Sequence, residues 1–229
     1  MESQKVLLFD IDATLLKTGW AGLRALDRVF DGLYGVPKAT NGIQPAGKTD
    51  PLIIREMVEK CLPDLDPDRE MPKVVELYVD YLAEEVEVSP GFQVMPGVPE
   101  LLEALSRIPY LVLGLATGNL EQGAYIKLRR AGLRSYFSFG GFGSDSENRT
   151  ELVLAAIRRA KEHLQGEVPL DSVYVIGDTP RDILHGKEAG ARTVAVATGG
   201  SDMEELGKYD PDYLFEDFSS TSSVVEIFL

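Results

Sequence analysis

Short, nearly continuous apolar runs separated by helix-patterned stretches constrain this chain more than any other feature. The runs are Lys5 to Asp10 (KVLLFD), Tyr110 to Thr117, Ser138 to Phe142, Ser172 to Gly177 and Thr193 to Ala197, with a weaker one at Tyr213 to Phe215. Consecutive rather than alternating apolar residues suit strands covered on both faces, as in a parallel sheet. Between the runs lie helix patterns. Pro99 to Ile108 puts Leu101, Leu102, Leu105 and Ile108 on one stripe, with Pro99 suited to a first turn. Leu120 to Ala131 follows Asn119, carries Gln122 where a capping-box partner would stand, and stops at Gly132. Thr150 to His163 is a third pattern. Thr179 to Ala189 is a fourth, opened by Thr179 and Pro180 and closed by Gly190. Strand and helix in alternation predict an α/β fold built on a doubly wound parallel sheet.

The alternation breaks once. Thr18 to Ser89 holds no convincing strand and reads as helices near Trp20 to Tyr34, Asp50 to Lys60 and Pro72 to Val86. Asp50-Pro51 is a helix-start signal. Trp20, Leu23, Phe30 and Leu33, with Val75, Tyr78 and Leu82, are expected to form a small helical core. The expected organisation is an α/β core of residues 1–17 and 90–229, with a helical insertion over 18–89 after the first strand. The chain would return near Pro90-Gly91 or Pro96-Gly97.

The formal net charge is -14. Such a surface repels nucleic acid and anionic lipid. It also repels phosphate esters, so a site for one must supply local positive charge, and a divalent cation is its natural source. The single cysteine, Cys61, excludes an intramolecular disulfide and a cysteine-based zinc cage, and fits a reducing compartment. No apolar stretch approaches the roughly 20 residues of a membrane helix. The N-terminus lacks a secretory pattern. These features predict a soluble cytoplasmic protein without nucleic-acid or membrane partners. They do not indicate an oligomeric state.

Chemistry-bearing residues stand at the ends of three runs. Asp10 and Asp12 close the first (FDIDATLL), where two carboxylates two residues apart project to one side. Like charges that close need a cation or a shared proton. A polar strand end capping a loop is the plainer reading of one such pair. A second acidic pair, Asp178 and Asp182 in YVIGDTPRD, follows another strand. Hard oxygen ligands from two strand ends suit Mg²⁺, which takes few carboxylates, several waters and a substrate phosphate. Asp182, three residues after Thr179, also fits a helix cap. Thr117, with the amides of Gly118 and Asn119, is placed to hold phosphate oxygens near a helix start. Thr-Gly-Asn is also ordinary turn chemistry.

Taken together, DIDATLL, Thr117 in LATGN and GDTPRD resemble the first, second and fourth motifs of the haloacid dehalogenase superfamily. The likeness runs over nearly the whole chain. The helical insertion resembles that family's cap, and MPGVPELLEAL is similar to the phosphoglycolate-phosphatase-like and β-phosphoglucomutase-like branch. The resemblance implies that Asp10 attacks phosphorus and that Asp12 protonates the leaving oxygen and then activates water. It implies Mg²⁺ held by Asp10, the Asp12 backbone carbonyl and Asp178, with Asp182 in support. A small phosphorylated metabolite would be the substrate. Two positions depart from the family. Ala13 stands where glycine is usual, so the turn is expected to avoid positive φ. No Lys-Pro marks the third motif, and Arg149 in SENRTELV is the candidate to pair with Asp10 and phosphate, against an exposed helix-start arginine.

In QPAGKTDP, Lys48 reads as a solvent-exposed lysine, as a contact to the substrate's distal group, or as a Schiff-base lysine like that of phosphonoacetaldehyde-cleaving relatives. His163 and His185 read as surface or packing residues, and Trp20 as insertion core. The sequence therefore points to a Mg²⁺-dependent phosphatase acting on a small phosphomonoester. A phosphomutase or phosphonoacetaldehyde hydrolase on the same scaffold, and a non-catalytic binding protein that kept the fold, are the competing readings.

Overall fold

The computed structural model of the chain describes residues 4–229. In chain order the first half contains β1 (Lys5–Phe9), β2 (Leu16–Thr18), α1 (Ala21–Tyr34), α2 (Asp50–Cys61), α3 (Pro67–Val88), β3 (Phe92–Val94) and α4 (Val98–Ser106). Then follow β4 (Leu111–Thr117), α5 (Glu121–Arg130), β5 (Gly140–Phe142), α6 (Arg149–Leu164) and β6 (Val173–Gly177). The chain ends with α7 (Pro180–Glu188), β7 (Arg192–Val196), α8 (Met203–Gly207), β8 (Tyr213–Phe215) and α9 (Thr221–Glu226).

The apolar runs form one six-stranded sheet in the order β5-β4-β1-β6-β7-β8. Every pairing in it is parallel. This is the α/β, doubly wound arrangement that the alternation predicts. Period-two geometry sends Leu7 and Phe9 to one face and Val6 and Leu8 to the other. The first pair joins the core under α4, α5 and α9 with Leu102, Leu128 and Phe228. The second joins Leu152, Ala156 and Val173 under α6. β5 is the shortest expression of its run because it is built on glycine. A Cβ at Gly141 would stand 1.8 Å from the Leu152 carbonyl oxygen, so only glycine lets α6 lie this close.

Helices α1, α2 and α3 form a lobe with its own core, including Phe30, Ile54, Met57, Tyr78 and Leu82. Three local expectations are corrected there. Two strands that sequence reading passed over, β2 and β3, pair antiparallel at the base of the lobe. Their three-residue lengths carry no periodic signal. The third helix begins at Pro67 rather than Pro72, because Asp66 caps the amide of Asp68 and Pro67 fills the first turn. Trp20 and Leu33 are not core: they are exposed, at 69% and 38%. Trp20 sits at the N-cap of α1 in a left-handed conformation, which turns its ring off the buried stripe. Among the described residues no helix is long and apolar enough to cross a membrane.

β1 is the middle of the sheet, and Phe9 is fully buried with its ring edge-on to Phe137 at 6.0 Å. Phe9→Ala removes that ring from the sheet's central strand and should cost about 3–5 kcal/mol of unfolding free energy. Urea denaturation measures it; a loss under about 1 kcal/mol would mean that the centre of the sheet collapses freely around the gap.

Candidate active site

The site lies beyond the carboxyl ends of β1, β4 and β6. From β1 the chain moves to β4 on one side and later to β6 on the other. The strand order therefore reverses at β1, where open α/β sheets leave a crevice. Asp10 emerges there buried, its amide donating to the Ile176 carbonyl at 2.9 Å. One carboxylate oxygen from each of Asp10, Asp178 and Asp182 lies within 4.8 Å of the others, and all three residues are buried.

Such crowding is electrostatically costly. Burial, with Asp182 and Asp12 nearby, pushes Asp10 up to about 7 in spite of Arg149. Burial and the Asp182 and Asp10 charges likewise push Asp178 well up. Arg149 is the cation inside the cluster. It is the first residue of α6, capped by Asn148, and is itself buried. Its guanidinium bonds Asp182, stands 3.7 Å from Asp10, and reaches the Gly47 carbonyl at 3.4 Å. The exposed-arginine reading is therefore excluded.

Asp182 is fully engaged. One oxygen meets Arg149; the other accepts from the Thr179 amide at 3.0 Å and its hydroxyl at 2.6 Å. Thr179 and Asp182 form a reciprocal capping box, so Asp182 is both helix cap and arginine anchor. Asp178 accepts from the Thr14 hydroxyl at 3.0 Å. Its side chain fills the space that a Cβ on Gly199 would need, 1.7 Å from one carboxylate oxygen. Once ionised, the three carboxylates against one guanidinium would leave two negative charges to offset. The donor set fits a divalent cation, with Asp10 and Asp178 as the carboxylates available to hold it.

Asp12 is placed differently. Its side chain keeps 46% exposure while the Lys127 ammonium meets its two oxygens at 2.8 and 2.6 Å. Asn119 Nδ2 adds a donor at 2.8 Å and also donates to Thr117 Oγ1 at 2.7 Å. Asn119 is thus not the cap of α5; Leu120 holds that position with no side-chain bond, and Gln122 has no capping-box partner. Thr117 is buried at the end of β4, and its hydroxyl helps to lower Asp10. Lys127 and its neighbour Asp50 were missed by sequence reasoning. In EQGAYIKLRR the lysine reads as one of several surface cations, and in KTDP the aspartate reads as a helix start.

Gly118 is where the helical lobe meets the sheet. The Asp50 amide donates to its carbonyl at 2.7 Å, and a Cβ on it would stand 2.3 Å from the Lys48 carbonyl oxygen. The two lobes enclose a cavity of about 600 Å³ lined by Asp10, Asp12, Lys127 and Arg149 from the sheet side, and by Trp20 and Ile53 from the helices. Lys48 lines it too, but its ammonium is tied to both oxygens of Glu56 at 2.6 Å and its side chain is only 15% exposed. The solvent-exposed reading of Lys48 is therefore set aside. Neither histidine enters the cluster: His163 lies against the Phe139 ring and His185 bonds Thr150 and Glu188.

The family model for haloacid dehalogenase-like hydrolases matches residues 7–196. A phosphoglycolate phosphatase of Synechococcus elongatus is 34% identical over 127 residues, 56% of this chain and 57% of that protein. The matched stretch thus spans little more than half of that relative. Pyrophosphatase PpaX of Bacillus pumilus is 25% identical over 231 residues, 96% of this chain and 95% of its own. Among solved structures, a predicted phosphoglycolate phosphatase of Haemophilus somnus superposes with a TM-score of 0.72 at 19% identity, covering 98% of this chain and 99% of that one, a likeness of fold.

The turn after Asp12 overturns one expectation. Ala13 does adopt positive φ, at 63°. Its amide donates to Leu16 at 2.7 Å and its carbonyl accepts from Thr198 at 2.6 Å, and these bonds impose the conformation. A left-handed alanine costs roughly 1–2 kcal/mol that glycine avoids. Ala13→Gly should therefore raise stability, with part of the gain offset by unfolded-chain entropy. Thermal denaturation is the check; a fall in Tm would show that the alanine methyl contributes packing that outweighs the strain.

Proposed function

The chain belongs to the haloacid dehalogenase-like hydrolase family, and from that membership we propose that it is a Mg²⁺-dependent phosphatase acting on a small phosphomonoester through an aspartyl phosphate on Asp10. The observation that carries the reading is the buried Asp10–Asp178–Asp182 cluster with its single guanidinium, opening into the cavity beside Asp12. Bound Mg²⁺ would offset the repulsion between Asp10 and an incoming phosphate and polarise the phosphoryl group.

The remaining roles fall to the chain's own residues. Asp10 Oδ attacks phosphorus; the new O–P bond forms as the bond to the leaving oxygen breaks. Asp12 gives that oxygen a proton. Asp12 then takes a proton from the water that attacks the aspartyl phosphate, releasing inorganic phosphate and restoring Asp10. Splitting one displacement into two lowers each barrier. Arg149 steers phosphate oxygens toward Asp10, and the Asp182 anchor keeps its planar fork in place. Thr117, Gly118 and Asn119 hold phosphate oxygens on the opposite side. The helical lobe acts as a cap that closes the chamber against water and contacts the leaving group. Residues 18–89 would form this cap and residues 1–17 and 90–229 the catalytic core. The relatives named phosphoglycolate phosphatase and pyrophosphatase support small phosphorylated substrates. Lys48, salt-bridged to Glu56, is better suited to a fixed polar contact than to Schiff-base chemistry, which needs a free amine. This arrangement favours phosphatase over phosphonoacetaldehyde cleavage.

Asp10→Asn should abolish phosphate release from a panel of phosphomonoesters, as should EDTA, with Mg²⁺ restoring the wild type alone. Turnover by the Asn variant would remove Asp10 as nucleophile.

The cluster also predicts a pH-dependent metal effect. An Asp10 carboxyl held at about 7 when folded, against about 4 when unfolded, keeps its proton in the native state between those values. The native state then binds more protons, so metal-free stability falls as pH rises from about 4 to 7. At any pH below about 7 Mg²⁺ must compete with the proton on Asp10; above it the ionised carboxylates repel one another and the metal relieves them. Mg²⁺ should raise Tm more at pH 7.5 than at pH 5. An equal rise at both values would place the metal elsewhere.

A further inference from the structure

Nothing in the chemistry above uses Lys127, yet its ammonium is among the best sealed charges in the molecule. The side chain is 5% exposed, deep on α5. An ammonium taken out of water loses several kcal/mol of hydration and stays only with close partners. Here the partners are specific. Nζ meets Oδ1 and Oδ2 of Asp12 at 2.8 and 2.6 Å and also bonds Oδ1 of Asn119. Asn119 turns its amide donor to Asp12 Oδ2 at 2.8 Å. Both oxygens of Asp12 are therefore fixed by a lysine and an amide that are themselves buried, while the carboxylate remains open to the cavity.

The other side of Lys127 belongs to the helical lobe. Asp50, buried at the start of α2, accepts the Leu120 amide at 2.9 Å, and its own amide holds the Gly118 carbonyl at 2.7 Å. Burial pulls the Lys127 ammonium down, but Asp12 and Asp50 together outweigh it and hold it protonated. The lysine thus bonds an acid of the sheet domain and feels the charge of an acid of the helical lobe. Leu120, next to this network, packs into the lobe's core rather than the sheet's.

We propose that Lys127 is the positioning residue for Asp12, fixing its carboxylate at the leaving-group side, and that Asp50 ties that placement to the docking of the helical lobe. The inference rests on the proton-transfer role given to Asp12 above. Proton transfer demands that one carboxylate oxygen reach within hydrogen-bond distance of the reacting oxygen. A carboxylate at a strand end, free to turn and repelled by Asp10, would spend little time there. Lys127 and Asn119 remove that freedom. Asp50 meets the network only while the lobe sits on the loop from Gly118 to Leu120, so Asp12 is set when the chamber is closed.

The test separates this role from general stabilisation by the leaving group's need for a proton. Phenyl phosphate and 2,4-dinitrophenyl phosphate share a ring that suits the chamber's apolar wall, but only the first needs a proton on departure. The comparison uses kcat/KM of the Mg²⁺-loaded full chain, which stops at phosphorylation of Asp10 and excludes the water step. Lys127→Met should lower kcat/KM for phenyl phosphate by roughly 10²-fold and that for the dinitrophenyl ester by less than about threefold. Lys127→Gln, which keeps one donor and the fold, should show the same selectivity with a smaller loss. Asp50→Asn should do likewise. In an Asp12→Ala background, Lys127→Met should add nothing. Equal losses on the two esters, in the Gln variant if the Met variant does not fold, would overturn the positioning role; so would an unchanged rate with phenyl phosphate. A uniform loss, or none, in Asp50→Asn would overturn the link to the lobe. If Asp10→Asn is inactive while the lysine variants lose both esters equally, the inference fails and the nucleophile assignment stands.

Discussion

Three buried carboxylates held within one cluster are the constraint from which the rest of this structure follows. Asp10, Asp178 and Asp182 repel one another in a region that water cannot screen, and burial has already pushed Asp10 up to about 7. No isolated helix or loop would tolerate this. A six-stranded parallel sheet does, because β1 and β6 are fixed to each other along their length. Their apolar faces supply the stabilisation that the charged ends consume. The guanidinium of Arg149 removes part of the strain, and the remaining charge is what makes the site a cation site in the proposed chemistry.

Arginine changes the architecture around it. A lysine would present one mobile point charge to the same carboxylates. A planar fork can instead hold one acid firmly and leave a second edge for another group. Here one edge is bonded to Asp182, which is locked by the Thr179 capping box, and the same nitrogen stands 3.7 Å from Asp10. The helix cap, the arginine and the central carboxylate form one rigid chain. Asp182 therefore works through its position rather than as a free ligand, and helix capping and site assembly are a single interaction.

The fold was legible because its signals are local and repeated. Each long strand is a continuous apolar run, and α7 announces itself through Thr179, Pro180 and Asp182. The three-residue strands β2 and β3 were not legible, since strands so short have no period, and neither was the left-handed turn that exposes Trp20. In the site, Asp10, Asp12, Thr117 and Asp178 could be read from their places at the ends of apolar runs. Arg149 could be proposed from its helix start. Lys127 could not: its partner Asp12 is 115 residues away, and nothing in its own helix distinguishes it from Arg129 or Arg130. Ala13 was misread for a related reason. Local propensity argued against positive φ, whereas bonds to Leu16 and Thr198 decide the matter.

The two lobes divide the work unevenly, and they meet both where α3 lies against α5 and at the loop after β4. The sheet domain holds every group assigned to phosphorus chemistry. The helical lobe touches the loop after β4 through its backbone: the Asp50 amide donates to the Gly118 carbonyl, and the Lys48 carbonyl lies where a Cβ on Gly118 would be. Backbone docking fixes distance without dictating which side chains line the chamber. Trp20 and Ile53 line the chamber from the lobe side. The polar contacts across the same seam, Asp50 near Lys127 and the Gly47 carbonyl accepting from Arg149, lie beside the candidate reacting groups. With the lobe in this position the chamber is enclosed, and Asp50 and the Gly47 carbonyl add to the electrostatics around Lys127 and Arg149.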